Sequence, residues 1–212
     1  MNKNILIAIA IIIASFIIGI YIYPSMPDEM PSHWNSAGDV DDYMPKFWGL
    51  FLMPIVTLGI LLLLVFLPRI DPSRMNVDKF RKYFEGFILV LVIFLFYMYI
   101  LTLLYSLDYS FNMGQLMVPG LVLLFYYAGI LIEHSKKNWF IGIRTPRTLS
   151  SDKVWDETHR LGGKLFKGAA IISLMGLLLP RYAILIVIIP IVFAAVYSVI
   201  YSYIVFKREK KK

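Results

Sequence analysis

The chain has 212 residues, of which 59% are hydrophobic and 17% are charged, and its mean hydropathy is +0.71. A soluble domain is about 45–50% apolar on average. Here the excess lies in long uncharged runs, which are typical of membrane spans and exclude an ordinary soluble domain. The net charge of +7 does not predict a nucleic acid partner, because Lys and Arg collect in the cytoplasmic loops of membrane proteins whatever their function. The absence of cysteine excludes disulfides, thiolate metal sites and a cysteine nucleophile.

Six apolar runs predict an all-α integral membrane protein with six transmembrane helices. They lie at residues 5–23, 47–67, 84–107, 115–132, 165–179 and 182–206. The first run follows Lys3 and is longer than the roughly 7–15 apolar residues of a signal peptide, so we interpret it as a retained span. The last apolar stretch is too long for one helix across the bilayer, and the Pro180-Arg181 pair is the predicted turn between spans five and six.

Basic residues predict the orientation. With both termini in the cytoplasm, the outer side keeps only Lys46 and Arg181 of the 21 Lys and Arg residues. This distribution strongly favours the N-in, C-in topology, in a prokaryotic plasma membrane, over its inverse. The chain then divides into an N-terminal membrane region (residues 1–67, with an outer loop at 24–46), spans three and four (68–132), and a C-terminal region (133–212, with an inner loop at 133–164).

The outer loop is rich in proline, which favours an extended backbone, and residues 35–39 read as a turn around Gly38. Its candidate binding residues are Pro31, His33, Trp34, Asn35 and Gly38. A simpler interpretation stays open, in which the segment is an interfacial linker and Trp34 and Met30 rest on the membrane surface.

The inner loop predicts an extended stretch at residues 138–146, interrupted by Gly142 and ended by proline. Ser150 or Ser151 would then cap a helix that runs to about residue 161 and feeds the fifth span. Trp155 and His159 are four residues apart and share a face of that helix. Packing is the favoured interpretation of the Trp155–His159 pair. Arg144 and Arg147 flank the turn and can bind phosphate-like or carboxylate groups. A basic loop held at the lipid headgroups by its tryptophans is the alternative interpretation of this segment.

Catalytic motifs are absent from the sequence. There is no His-Glu-x-x-His, no phosphate-binding loop and no nucleophile elbow. His33 falls on the opposite side of the membrane from His134 and His159, so the three histidines cannot share a metal ion, while a site from His134, His159 and Asp156 stays open as an alternative. We therefore predict no catalytic residue, no metal and no cofactor.

Both loops contain motifs of a known family. The inner one reads Asn138-Trp-Phe-Ile-Gly142-Ile-Arg144-Thr145-Pro146, followed by Leu149 and Trp155-x-x-x-His159-Arg160. It resembles the signature of the SdpI family, multipass proteins named for immunity to a secreted sporulation-delaying toxin. The outer one reads Met-Pro-x-x-Met-Pro-x-His33-Trp34-Asn35-x-x-Gly38, and it resembles a membrane domain of unknown function that often precedes that region.

The resemblance implies a non-enzymatic protein that protects the cell against a membrane-active toxin peptide. It implies three kinds of partner: membrane lipid, a secreted toxin peptide on the outer face and a cytoplasmic regulator at the inner loop. The positions that it marks as functional are Asn138, Gly142, Arg144, Thr145, Trp155, His159 and Arg160. Two alternatives stay open: a transporter or exporter of a small or amphipathic substrate, and a membrane enzyme that uses His159 and Asp156.

Overall fold

The computed structural model of the chain describes residues 2–211. Within them it contains seven α-helices and one two-stranded sheet, in the order α1 (Lys3–Ile22), β1 (Glu29–Trp34), β2 (Val40–Pro45), α2 (Lys46–Ile70), α3 (Arg74–Ser106), α4 (Met113–His134), α5 (Pro146–Ser150), α6 (Asp152–Ser173) and α7 (Ala183–Glu209). Short 3-10 turns follow α1 (Tyr23–Ser25) and α6 (Leu174–Leu178) and precede α7 (Pro180–Tyr182).

Six of the described helices are long and apolar enough to cross a membrane, namely α1, α2, α3, α4, α6 with its 3-10 extension, and α7. The predicted six-span helical fold is therefore confirmed. The turn predicted at Pro180 is also present, as the 3-10 segment Pro180–Tyr182. Proline at the start of that segment lacks the N–H that would continue the preceding helix.

The spans form two groups of three. Helix α3 packs against α1 and α2, α4 packs against α6 and α7, and contact between α3 and α4 joins the groups. The α4–α6 crossing is close because glycine faces glycine there: a Cβ on Gly163 would lie 2.6 Å from the carbonyl oxygen of Gly129. Beside it, the Lys167 ammonium binds the Glu133 carboxylate at 2.5 Å.

The extended outer loop forms an antiparallel hairpin, β1–β2, whose pairing the sequence did not predict. The predicted turn is correct, since Gly38 has a φ of +90°. The placement of Met30 on the membrane surface is wrong: its side chain is fully buried against Leu50 and Tyr99. We refer to this end of the bundle as the hairpin end, and to the opposite end, where α4 and α7 finish, as the loop end.

Most of residues 68–83, which lie between the second and third apolar runs, are helical. Helix α2 continues to Ile70 and α3 already begins at Arg74. Val77 and Phe80 explain this helix, because both are buried in the core shared by α1, α2 and α3. Their burial stabilises helix beyond the apolar run, although Phe80 itself has a non-helical φ of −122° that marks a kink.

Five hydroxyl groups of the spans bind within their own helix. Ser15, Thr57, Thr102, Ser173 and Ser198 each donate to the carbonyl four residues earlier. This back-bonding satisfies the hydroxyl locally, so it provides no link between spans. A link that does cross helices is the Tyr99 hydroxyl, which donates to the carbonyl of Ser15 at 3.2 Å.

Candidate functional site

Asn138 organises the first part of the loop between α4 and α6. Its side-chain amide donates to the carbonyls of Lys136 and Ile141, both at 2.8 Å. Its carbonyl oxygen accepts from the backbone N–H groups of Phe140 and Ile141 at 2.9 and 2.6 Å. The fully buried side chain thus closes a tight turn, and the extended stretch predicted at residues 138–146 is instead an irregular loop with bends.

Trp155 and His159 of α6 form the floor under this loop. Their rings stack with centroids 3.9 Å apart, and both side chains are buried. The Trp155 indole N–H donates to the Ser135 carbonyl at 2.9 Å. The shared helix face that the sequence predicted is therefore a packing surface that also binds the loop backbone.

His159 has both ring nitrogens engaged with backbone atoms. Nδ1 lies 2.8 Å from the Trp155 carbonyl, which can only accept, so Nδ1 carries the proton. Nε2 accepts from the Ile143 N–H at 2.9 Å, so the ring is the neutral Nδ1–H tautomer. Neither nitrogen is free to move a proton or to bind a metal ion.

Gly142 lets the loop backbone pass directly over this histidine. Its φ is +110°, and a Cβ at this position would lie 2.5 Å from His159 Nε2. Side chains other than hydrogen are disfavoured on both counts. The loop backbone at Gly142 thus approaches the imidazole of His159 closely.

Thr145 ends the loop and starts α5. Its hydroxyl accepts from the Thr148 N–H, and the Thr148 hydroxyl accepts from the Thr145 N–H, which makes a capping box. The Thr145 hydroxyl also lies 3.2 Å from that of Ser202 on α7. Ser151, one of the two caps that we expected, caps α6 and donates to Glu209 at 2.7 Å, so the loop is fixed to the end of α7 at two points.

Of the seven positions that the motif marks as functional, Arg144 and Arg160 have exposed side chains. Arg144 donates to the Trp139 carbonyl at 2.6 Å, which leaves other N–H groups of its guanidinium free for an acceptor from outside. Arg147 instead lies over the Tyr203 ring at 4.8 Å. The other five of these positions hold the loop, and Arg144 is the exposed cation among the loop positions so marked.

The sequence analysis missed Asp71, a buried carboxylate in the turn between α2 and α3. It accepts from the Ser73 N–H at 2.6 Å and from the Trp139 N–H at 3.0 Å. Asn76 adds a bond to the Lys137 carbonyl. The local Asp-Pro-Ser pattern is a turn signal, but nothing local indicates that this turn holds a loop 68 residues away.

At the hairpin end the candidate residues are mostly built into the hairpin. Asn35 accepts from the N–H groups of Ala37 and Asp39 and so closes the turn. Pro31 and Gly38 are buried, and Trp34 packs edge-to-face on Tyr105 rather than on the membrane surface. His33 is exposed and lies 2.5 Å from the Asp41 carboxylate.

Asn112 is the residue that holds the hairpin tip, and the sequence analysis missed it. Its amide donates to the Ala37 carbonyl at 2.7 Å, and its carbonyl oxygen accepts from the Gln115 N–H at 2.8 Å. One side chain therefore caps α4 and docks the turn. Asn before an apolar run is a cap signal, whereas its contact with the hairpin is visible only in the folded chain.

The alternative metal site does not form in the residues described. Within positions 2–211 no three His, Asp or Glu side chains lie close enough to hold a metal ion. His134 stacks on Tyr83, with centroids 3.8 Å apart, and Asp156 pairs with Lys136 at 3.2 Å. His134 and Asp156 are therefore engaged in other contacts and do not join His159 in a metal site.

Two family models match separate parts of the chain. Residues 10–58, which cover most of α1, the hairpin and about half of α2, match a domain of unknown function, DUF1648. Residues 135–202, which cover the loop, α6 and most of α7, match the SdpI/YfhL protein family.

The match at residues 135–202 defines an SdpI/YfhL-like region of the chain. The SdpI/YfhL region contains the whole hydrogen-bonded unit from Ser135 to His159, so the family resemblance noted in the sequence is confirmed. The chain is also 29% identical over 209 residues to "Immunity protein SdpI" of Bacillus subtilis (strain 168), and the match covers 98% of each chain. No solved structure matches the chain significantly. The similarity and the six apolar helices identify a multi-pass protein of the cell membrane.

Proposed function

We propose that this chain is a membrane immunity protein that protects the cell against a secreted, membrane-active toxin peptide. The observation that carries the proposal is similarity along 98% of the chain to a protein named for immunity. That similarity includes both the hairpin region and the SdpI/YfhL region, so it is not limited to general membrane-span composition. The function is proposed as non-enzymatic, which agrees with the engaged nitrogens of His159.

The orientation that we propose places the hairpin end outside and the loop end in the cytoplasm. The distribution of Lys and Arg supports this orientation. The basic segments of the chain all lie at the loop end, namely the α2–α3 turn, the 135–151 loop and the end of α7. At the hairpin end, Lys46 is paired with Asp28 at 3.1 Å. The three-part division at residues 67 and 132 stays a prediction.

Two separate surfaces suit a receptor-like form of immunity. The hairpin offers the exposed His33–Asp41 pair to a peptide on the outer face, and the loop end offers Arg144 to an acidic group of a cytoplasmic regulator. Under this proposal, the candidate residues act in two ways: Pro31, Trp34, Asn35, Gly38, Asn138, Gly142, Thr145, Trp155 and His159 shape the two surfaces, while His33, Arg144 and Arg160 contact the partners.

Survival of toxin-sensitive cells tests the proposal. Cells that express the wild-type chain should survive a sporulation-delaying-type toxin peptide better than cells with an empty vector. No protection, with normal membrane insertion, would contradict immunity to that toxin class. Arg144→Glu tests the relay separately: we expect it to retain protection and to lose toxin-dependent regulation, while Lys153→Glu, an exposed charge reversal outside the motif, retains both.

Transport is the alternative function, and one observation favours it. Pro54, Pro119 and Pro190 lie inside α2, α4 and α7, where proline can kink a span. Flux of a labelled amphipathic peptide into proteoliposomes is the measurement. A rate above that of empty liposomes supports a transporter, and an equal rate contradicts it.

A further inference from the structure

A cavity of about 320 Å³ lies at the hairpin end, between the hairpin, α2 and α3. Pro31 and Met44 of the hairpin, Met53 of α2 and Met98 of α3 line it, and its walls are mostly apolar. Thioether side chains adapt easily to a flexible apolar guest. None of the five motif residues of the SdpI/YfhL region that hold the loop is near it, so it is separate from the site at the loop end.

Two unpaired hydrogen-bond donors belong to residues that line this apolar cavity. The Ser32 hydroxyl and the Trp34 indole N–H are both buried from solvent, and neither has a partner within residues 2–211. Buried polar groups are nearly always paired, since an unpaired donor loses its bond to water without replacement. The pair therefore indicates an acceptor that the chain does not itself supply.

The cavity opens sideways, toward the membrane. The exposed residues on its rim are Trp48, Leu52 and Val56, which are four residues apart along α2 and so share one face. This face belongs to a transmembrane helix and contacts lipid. Trp48 lies within the first turn of α2, at the depth where tryptophan marks the boundary between headgroups and hydrocarbon. A guest would thus enter from the bilayer, at the level of the interface.

We propose that the cavity holds one acyl chain of a phospholipid from the leaflet at the hairpin end. The ester carbonyl of that lipid accepts hydrogen bonds from Ser32 and Trp34, and the chain lies among the methionines. A phospholipid matches each observation: its ester groups accept without donating, they lie at the interface, and the hydrocarbon continues directly below them. The site does not depend on the immunity function.

Fluorescence of Trp34 tests the site in the full chain reconstituted in phosphatidylglycerol vesicles. The Trp34 signal is the fluorescence of the wild-type chain minus that of Trp34→Phe. This signal is compared between vesicles with plain acyl chains and vesicles with brominated acyl chains, because bromine quenches tryptophan fluorescence on contact. Thr102 lines the cavity, and Thr102→Phe places a larger side chain in it. Leu62→Phe is the matched control, since Leu62 is lipid-facing and 62% exposed on α2 and does not line the cavity.

We expect strong quenching of Trp34 in wild type and Leu62→Phe, and little in Thr102→Phe. Native mass spectrometry should find one tightly retained phospholipid per chain, with retention reduced roughly tenfold or more in Ser32→Ala combined with Trp34→Phe, since two hydrogen bonds are lost. Equal quenching in Thr102→Phe and wild type, or equal lipid retention in all variants, would overturn the proposal. A change in Trp34 emission caused by an added toxin peptide, with no quenching by brominated lipid, would instead assign the cavity to a peptide.

Discussion

At the scale of single residues, the most constrained position is the contact between Gly142 and His159. The loop backbone passes so close to the imidazole that the Ile143 N–H binds Nε2 at 2.9 Å. Trp155 stacks on the same imidazole ring. His159 therefore acts as a hydrogen-bond acceptor that positions the loop. Two substitutions test the close backbone contact and the hydrogen bond separately.

Gly142→Ala should destabilise the protein by about 1–3 kcal/mol or more. The new Cβ would meet His159 Nε2 at 2.5 Å while the backbone keeps a φ of +110°. Thermal unfolding in detergent measures the effect. Gly168→Ala in α6 is the control, because a Cβ there meets no atom within 4 Å and alanine favours helix. Equal unfolding temperatures of Gly142→Ala and wild type would contradict the close contact.

His159→Phe should cost about 1–3 kcal/mol although it preserves an aromatic ring on Trp155. The Ile143 N–H would lose its acceptor, and an unpaired buried N–H carries its full desolvation cost. The same unfolding measurement applies, with His33→Ala at the exposed hairpin position expected to match wild type. If His159→Phe unfolds like wild type, the hydrogen bond does not hold the loop.

At the scale of elements, α6 forms from signals in its own sequence, whereas the hairpin depends on contact with a distant helix. Helix α6 follows its local signals: Ser151 caps it, Asp152 occupies its first turn, and the amphipathic part continues into the span without a break. The hairpin depends on a distant element, because its tip docks on the residue that caps α4. Its stability should therefore respond to changes in α4.

Two substitutions at Asn112 distinguish docking from capping. Asn112→Asp retains the oxygen that accepts from the Gln115 N–H but loses the donor to the Ala37 carbonyl, whereas Asn112→Ala loses both. Amide hydrogen exchange followed by mass spectrometry is the measurement. We expect several-fold faster exchange in residues 29–45 for both variants, and faster exchange at the start of α4 only for Asn112→Ala. Unchanged hairpin exchange in Asn112→Asp would show that the tip does not need this bond.

At the scale of the whole molecule, the bundle separates two polar ends by six apolar helices. The α2–α3 turn connects both three-helix groups at the loop end, because Asp71 accepts from the Trp139 N–H and Ile141 inserts into the core of α1, α2 and α3. A change at the loop therefore reaches both groups through packed contacts. This arrangement is consistent with a loop that responds to events in the first group.

Topology is tested with single cysteines, because the natural chain has none. Ser36 and Ser150 are both exposed, at the hairpin end and the loop end respectively. In intact cells a membrane-impermeant maleimide should label Ser36→Cys and should label Ser150→Cys only after permeabilisation. The reverse pattern would overturn the orientation inferred from Lys and Arg.

Local signals in the sequence determined the six spans, the turn at Pro180, the cap at Ser151 and the turn at Gly38. Hydropathy, capping and proline geometry act over a few residues, so they can be read along the chain. The helical period placed Trp155 and His159 on one helix face, and the resemblance to a known family marked the candidate site. They did not predict that most of its side chains would be buried in a structural unit.

Only the tertiary structure decided which side chains the site presents and what holds it together. Met30 is buried although it lies in a polar segment, Asp71 binds a loop 68 residues away, and Asn112 docks a turn 75 residues before it. Such contacts depend on how the spans pack, which no local pattern encodes. The sequence thus determined that this is a six-span membrane protein, and packing decided that Arg144 is exposed while His159 is sealed beneath the loop.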